Sequence, residues 1–258
     1  MRLAVISDIH GNLVALDAVI DDLRQSGTID HLWVLGDLAT FGPRPAECIQ
    51  RVRALPETLG LDEKKFEIIS GNHDRYLVTG ARHPKKPAED ADKLKELADE
   101  WRSRDQVINW TLAQLSFEDY DYLRKLRNDL SLDAPDYGWV IGYHAVPGDD
   151  EANLKPDTPA EEAEDYLLDR EGRLGIGGHI HQQMDRQLNH WRVINVGSVG
   201  APKTDKRAEY AIITFENGEA HVDLRHVRFD VDTVMADLKY GPLADYRAVQ
   251  MNFVKAEA

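Results

Sequence analysis

Leu3-Ala4-Val5-Ile6-Ser7-Asp8-Ile9-His10-Gly11-Asn12 opens the chain with a short apolar run that stops at two polar residues. Continuous apolar runs of this length suit a strand buried on both faces, as in a parallel sheet covered by helices. Leu13, Leu16, Val19, Ile20 and Leu23 then recur at helical spacing, with Gly27 just past the end as a stop. A second strand reads at 31–35, ending in Gly36-Asp37, and a helix at about 46–55 precedes a third strand at 66–69, ending in Gly71-Asn72-His73-Asp74. Strand, helix, strand, helix, strand is the pattern of an α/β layered fold.

The middle of the chain reads differently. From about 90 to 126 the apolar positions are helical, and Ser116 followed three residues later by Asp119 has the form of an N-cap. This predicts a helical insertion at about 80–130, lying over the edge of the site within a single domain of residues 1–258. The polar stretch 81–92 is its leading loop. Strand signals resume at 139–143, 174–176, 191–194, 210–215 and 220–229, with Asn217-Gly218 as a hairpin turn. Within 220–229 the alternation changes phase near His226, which predicts a bulge. A terminal helix carries Val231, Val234, Met235 and Leu238, stopped by Gly241-Pro242.

The chemistry lies in where Asp, Asn and His fall. Asp8-Ile9-His10, Asp37, Asn72-His73-Asp74, His144 and His179-Ile180-His181 each follow a predicted strand. Ligands bind at the carboxyl edge of open α/β sheets, so these chain-distant residues converge on one rim. Taken singly, each has an ordinary reading as a cap, a turn residue or a solvated histidine. The conjunction in five successive strand-end loops does not. Carboxylate, amide and imidazole make mixed nitrogen and oxygen sites for Mn, Fe, Co, Ni or Zn, and no thiolate suggests a structural zinc. Seven ligands (Asp8, His10, Asp37, Asn72, His144, His179, His181) are too many for one ion and suit two, provided a carboxylate bridges. Such a pair clamps the oxygens of an in-line phosphoryl displacement and yields a bridging hydroxide near neutral pH.

Composition agrees. The 258 residues carry 31 Lys and Arg against 46 Asp and Glu, a formal charge of −15. That balance repels a nucleic-acid backbone, and no basic run goes beyond two residues such as Lys85-Lys86 to set against it. A phosphate-handling protein so poor in cations needs positive charge from elsewhere, and bound metal supplies it. No apolar run is long enough for a membrane span, no signal peptide is visible, and the single Cys48 points to a reducing cytoplasm. Trp101, Trp110, Tyr120 and Tyr122 read first as helical core and second as a homo-oligomer contact.

Asp8-Ile9-His10-Gly11-Asn12, Gly36-Asp37, Gly71-Asn72-His73-Asp74 and Gly178-His179-Ile180-His181 resemble the ordered motifs of the calcineurin-like metallophosphoesterase superfamily. Residues 36–45 and 194–202 are similar to its small prokaryotic phosphodiesterase-like branch, and the resemblance runs from Met1 to about Phe215. It implies an αββα fold, a two-sheet sandwich with helices on both outer faces and the metals at one end. It implies one ion on Asp8, His10 and His181, the other on Asn72, His144 and His179, and Asp37 bridging. His73 looks like the family histidine that stabilises the transition state or protonates the leaving oxygen. Asn195 and Gly197-Ser198 would support the site. Two departures stand out. His144 is followed by Ala145 where related members carry Gly, and Thr40-Phe41 stands where the protein-phosphatase branch carries Asp-Arg.

The expected function is a dinuclear, most simply manganese, phosphodiesterase or small-nucleotide hydrolase. A dinucleoside-polyphosphate hydrolase or a phosphomonoesterase, including a protein phosphatase, is the second reading. A tight, deep pocket would favour monoesters, whereas a groove lined by Arg82, Arg102 or Lys203 would admit larger nucleotides. A non-catalytic metal-binding scaffold is a third reading, and loss of ligands or of His73 would mark it. This chain keeps them all.

Overall fold

The computed structural model describes residues 1–84, 87–203, 206–240 and 243, so Lys85-Lys86 and Gly241-Pro242 lie outside the described residues. β1 (Arg2–Ile6) is buried over its last four residues. Asn12 then caps α1 (Leu13–Gln25), its side-chain oxygen accepting from the Ala15 N–H at 3.1 Å. β2 (His31–Val34), α2 (Pro45–Arg53), α3 (Leu55–Leu59) and β3 (Phe66–Ile68) continue the alternation. α4 (Asn72–Thr79), α5 (Ala91–Gln114) and α6 (Phe117–Arg124) follow, and Ser116 forms the predicted capping box with Asp119. The chain continues through β4 (Asp129–Ala134), β5 (Gly138–Tyr143), α7 (Ala160–Asp165), β6 (Leu174–Gly177), β7 (Met184–Gln187) and β8 (Arg192–Asn195). The long hairpin β9 (Arg207–Glu216) and β10 (Glu219–Arg228) leads to α8 (Val231–Tyr240).

Two five-stranded mixed sheets result, in the orders β10-β9-β1-β2-β3 and β4-β5-β6-β8-β7. Their centres are parallel, β1 to β2 to β3 in one and β5 to β6 to β8 in the other. Between the sheets Leu3, Val5, Trp33 and Leu35 meet Val140, Leu174, Ile176 and Ile194. On the outer face of the first sheet Ala4, Ile6, Leu32 and Val34 pack under Leu16, Val19, Ile20, Ile49 and Val52 of α1 and α2. Ile141, Tyr143 and Val193 of the second sheet pack under Ala163 of α7 and Leu167. Helices, sheet, sheet and helix make the four layers expected of the αββα fold. Burying each large aliphatic side chain in these layers contributes about 1.5–3 kcal/mol. The layers fit closely: a Cβ on Gly142 would lie 2.9 Å from the Trp33 ring.

Two strands escape the sequence reading. β4 and β7 are the edge strands of the second sheet, and their partly exposed residues carry no continuous apolar run. The bulge predicted near His226 is absent. β10 pairs with β9 in one unbroken register from Glu219 opposite Glu216 to Arg228 opposite Arg207. The phase change has another cause. Val222 and Leu224 face the layer between the sheets, whereas Val227 lies on the opposite face, against the helix-side core.

Candidate metal centre

The carboxyl ends of β1, β2, β3, β5 and β6 meet at one end of the sandwich, and all seven candidate ligands come together there. Asp8, His10, Asp37, Asn72 and His144 are buried, and His179 and His181 are partly exposed at the rim. Asp8, His10 and His181 form one group able to hold an ion, and Asp8, Asp37 and His144 form an overlapping one. Asp8 Oδ1 stands 3.2 Å from His181 Nε2 and 3.7 Å from His10 Nε2. Asp37 Oδ2 lies 3.6 Å from His10 Nε2 and 3.5 Å from His144 Nε2, between the two sides of the cluster. Asn72 Oδ1 approaches His144 Nε2 at 3.1 Å and His179 Nδ1 at 3.2 Å.

The backbone bends sharply to present these groups. Nine non-glycine residues among those described have φ in the left-handed region, and Asp8, His10, Asp37, Thr40, Phe41, His179 and His181 account for seven. Each such residue costs of order 1 kcal/mol, and such strain collects at functional sites. The loops also approach at backbone contact: Gly36 has φ +88°, and a Cβ there would sit 2.2 Å from the Gly71 nitrogen. Asp74 fastens them, its carboxylate accepting the N–H groups of Asp37, Leu38 and Gly71 at 2.7, 3.1 and 3.0 Å. It therefore caps the turn and does not orient His73. Across the sheets, the His179 N–H donates to Asp8 Oδ2 at 2.8 Å. The Ser198 hydroxyl donates to the Asp8 carbonyl at 2.8 Å, and Asn195 Oδ1 accepts the Gly197 N–H at 3.0 Å, so this turn supports the site as expected.

The donors fit cations. His144 Nδ1 donates to the Leu35 carbonyl at 2.7 Å and His181 Nδ1 to the Ala201 carbonyl at 2.8 Å. A carbonyl only accepts, so the proton sits on Nδ1 and each Nε2 turns a lone pair inward, the usual arrangement for a metal-binding histidine. His181 Nε2 meets His10 Nε2 at 2.9 Å, while Asp8 Oδ1 is buried with no hydrogen-bond donor. Asp8 Oδ1 and the His181 Nε2 lone pair, both acceptors and 3.2 Å apart in a buried site, call for positive charge between them.

Electrostatics describe the same imbalance. Burial, then the charges of Asp74 and Asp8, push the Asp37 carboxyl well above its ordinary range. Burial acts upward on Asp8 too, but His181, then His144 and His10, outweigh it and hold that carboxyl low. Burial, then neighbouring imidazoles, holds His10 and His73 well below the usual histidine range and brings His179 down to about 3.

His73 stands beside this cluster without belonging to it. Its backbone N–H donates to Asp37 Oδ1 at 2.8 Å, and its ring lies 5.4 Å from the His10 ring. No carboxylate orients it, because Nδ1 is buried without a partner. Phe41, 4.6 Å away, and Tyr76, 5.3 Å away, hold the ring by packing instead. Sequence reasoning marked Thr40-Phe41 only as a departure from the protein-phosphatase branch; it missed Tyr76, the packing of Phe41 on His73 and the Thr40 hydroxyl 3.4 Å from His10 Nδ1. It also missed the clamp in which Arg75 reaches Asp150 at 2.7 Å. No local pattern marks a pair so distant in sequence.

The family model of the calcineurin-like phosphoesterase superfamily domain matches residues 1–218. The chain belongs to the calcineurin-like phosphoesterase superfamily. With it the chain is a phosphoester hydrolase of a family that depends on divalent metal. A metallophosphoesterase from Sphaerobacter thermophilus is 26% identical with a TM-score of 0.69, over 98% of each chain. An uncharacterised protein of Methanocaldococcus jannaschii is 29% identical over 89% of this chain and 88% of its own length. The symmetrical bis(5'-nucleosyl)-tetraphosphatase of Erwinia tasmaniensis is 32% identical over 44% of this chain. That match spans only 38% of the tetraphosphatase. No helix among the described residues is long and apolar enough to cross a membrane.

Proposed function

We propose that this phosphoesterase is a dinuclear enzyme acting on phosphodiesters or small nucleotides. Asp8, His10 and His181 would hold one cation, Asn72, His144 and His179 the other, with Asp37 shared. The observation that carries this reading is the position of Asp37 Oδ2, 3.6 Å from His10 Nε2 on one side and 3.5 Å from His144 Nε2 on the other. Divalent cations bound there, manganese first for such a mixed donor set, would offset the charge of phosphoryl oxygens and acidify an attacking water.

The chain's own groups do the rest. Asp8 and Asp37 fix the negative side of the site, and the Asp74 clamp keeps the Asp37 loop from shifting under load. His73, held between Phe41 and Tyr76, would stabilise the transition state or protonate the departing oxygen as the phosphorus–oxygen bond breaks. The tetraphosphatase relative favours a nucleotide, and with it a dinucleoside polyphosphate, as the substrate. Of the basic residues expected at an open groove, Arg102 pairs with Asp99 on the surface, whereas Lys203 is exposed, its ammonium lowered by partial desolvation. Residues 1–258 read as one domain, with α5 and α6 as the insertion. Cys48, fully buried, suits a reducing cytoplasm.

The test is hydrolysis of bis(p-nitrophenyl) phosphate, p-nitrophenyl phosphate and diadenosine tetraphosphate by metal-stripped protein, with and without Mn²⁺. Turnover that requires Mn²⁺ and disappears in Asp37→Asn supports the reading, and the preferred ester selects the substrate class. A folded protein that takes up no divalent metal overturns it.

A further inference from the structure

A cavity of about 290 Å³ opens beside His73, between the first sheet's loops and α5. That volume lies at the lower end of the ~300–1,000 Å³ usual for small-molecule sites, room for one ring system and not for a polymer. Its walls carry the rings of Phe41, Tyr76 and Trp101 with the side chains of Leu97 and Ile108. The catalytic cluster and the cavity share a wall, because Phe41 packs on both His73 and His10.

The charged residues at this cavity cancel one another. Arg82 donates to Asp105 at 2.8 Å, to Asn109 at 3.1 Å and to the Gly80 and Ala81 carbonyls. Arg104 pairs with Glu100 at 2.7 Å. Both guanidinium groups are therefore engaged, and the cavity offers no net positive charge to a second phosphate. What remains is aromatic surface rimmed by carboxylate oxygens, whose spare lone pairs accept N–H groups. A flat, neutral ring bearing N–H donors matches that combination.

We infer that this cavity is a subsite for the nucleobase of the substrate, an amino-bearing purine by its acceptor rim, seated on Phe41 and Trp101 next to His73. The inference rests on the nucleotide reading of the same site and supplies its specificity. A base stacks favourably on an aromatic side chain, so loss of the base weakens binding by about 5- to 150-fold.

The test compares adenosine 5'-monophosphate with ribose 5-phosphate, which keeps the sugar and phosphate and lacks the base. Calorimetric titration of the full chain with Mn²⁺ present should give about tenfold tighter binding of the adenosine compound. Trp101→Ala and Leu97→Arg, each checked for retained helix content by circular dichroism, should bring the two affinities together. Equal affinity in the unaltered protein, or a preference that survives both variants, overturns the subsite. The same preparations are assayed on bis(p-nitrophenyl) phosphate. Ester turnover with no base preference removes the subsite and leaves the hydrolase standing. A base preference in protein that hydrolyses none of the esters supports the subsite while the catalytic reading fails.

Discussion

His10 Nε2 and His181 Nε2 face each other at 2.9 Å, one from the loop after β1 and one from the loop after β6. Each sheet thus contributes an imidazole to the same point, with the Asp8 carboxylate beside them. Asp8 Oδ1, buried without a hydrogen-bond donor, stands 3.2 Å from the His181 Nε2 lone pair, a pairing that a cation would relieve, so divalent metal is expected to stabilise the fold.

Adding Mn²⁺ to metal-stripped protein should raise the unfolding free energy by about 2.7 kcal/mol for each site saturated at about 100 times its dissociation constant. His181→Ala should lose most of the gain. Thermal melts with and without chelator read this directly, and a melting temperature indifferent to Mn²⁺ would contradict it.

Asp74→Ala should destabilise the fold by about 3 kcal/mol or more, because three buried N–H groups lose their acceptor at once. Urea unfolding with an unchanged slope is the measurement. A loss below ~1 kcal/mol would mean that water replaces the carboxylate.

His73→Ala should slow hydrolysis of an alkyl ester by about 10²–10⁴-fold. A p-nitrophenyl ester, whose leaving oxygen needs little help from a proton, should suffer much less. Equal losses on the two esters would assign His73 to binding and not to leaving-group protonation.

Asp22 links α1 to the hairpin, accepting from Arg225 at 2.8 Å and from the Tyr210 hydroxyl at 2.5 Å. The Arg225 bonds hold its carboxyl below the ordinary 3.8. A carboxyl depressed in the folded state binds fewer protons there than when unfolded, so its contribution is present above pH 3.8 and disappears as pH falls through its lowered value. Asp22→Ala should therefore cost about 1 kcal/mol near neutral pH. The gap between the melting curves should close in strong acid, and a gap that widens in acid would reverse the sign assigned here.

The strands that carry the site were the legible ones, because burial on both faces leaves an unbroken apolar run such as residues 3–6 ending at its ligands. β4 and β7 were illegible for the converse reason: an edge strand needs little apolar surface, and its partner strand determines it. The convergence of Asp8, Asp37, Asn72, His144, His179 and His181 followed from strand ends alone. The setting of His73 did not, since the packing of Phe41 depends on left-handed backbone at Thr40 and Phe41 that no local propensity announces. The apparent bulge at His226 records the same limit. Alternation reports which face is covered, and β10 changes the face it covers without changing its register.

The Asp8 carboxylate receives the His179 N–H from the opposite sheet, and the ligands divide between the sheets, four on one and three on the other. Bound ions would therefore rivet one end of the sandwich, whereas the rest is held by greasy side chains. Amide hydrogens around the ends of β1 and β6 should open to solvent separately from those in mid-strand, and do so in proportion to how much metal the cell supplies.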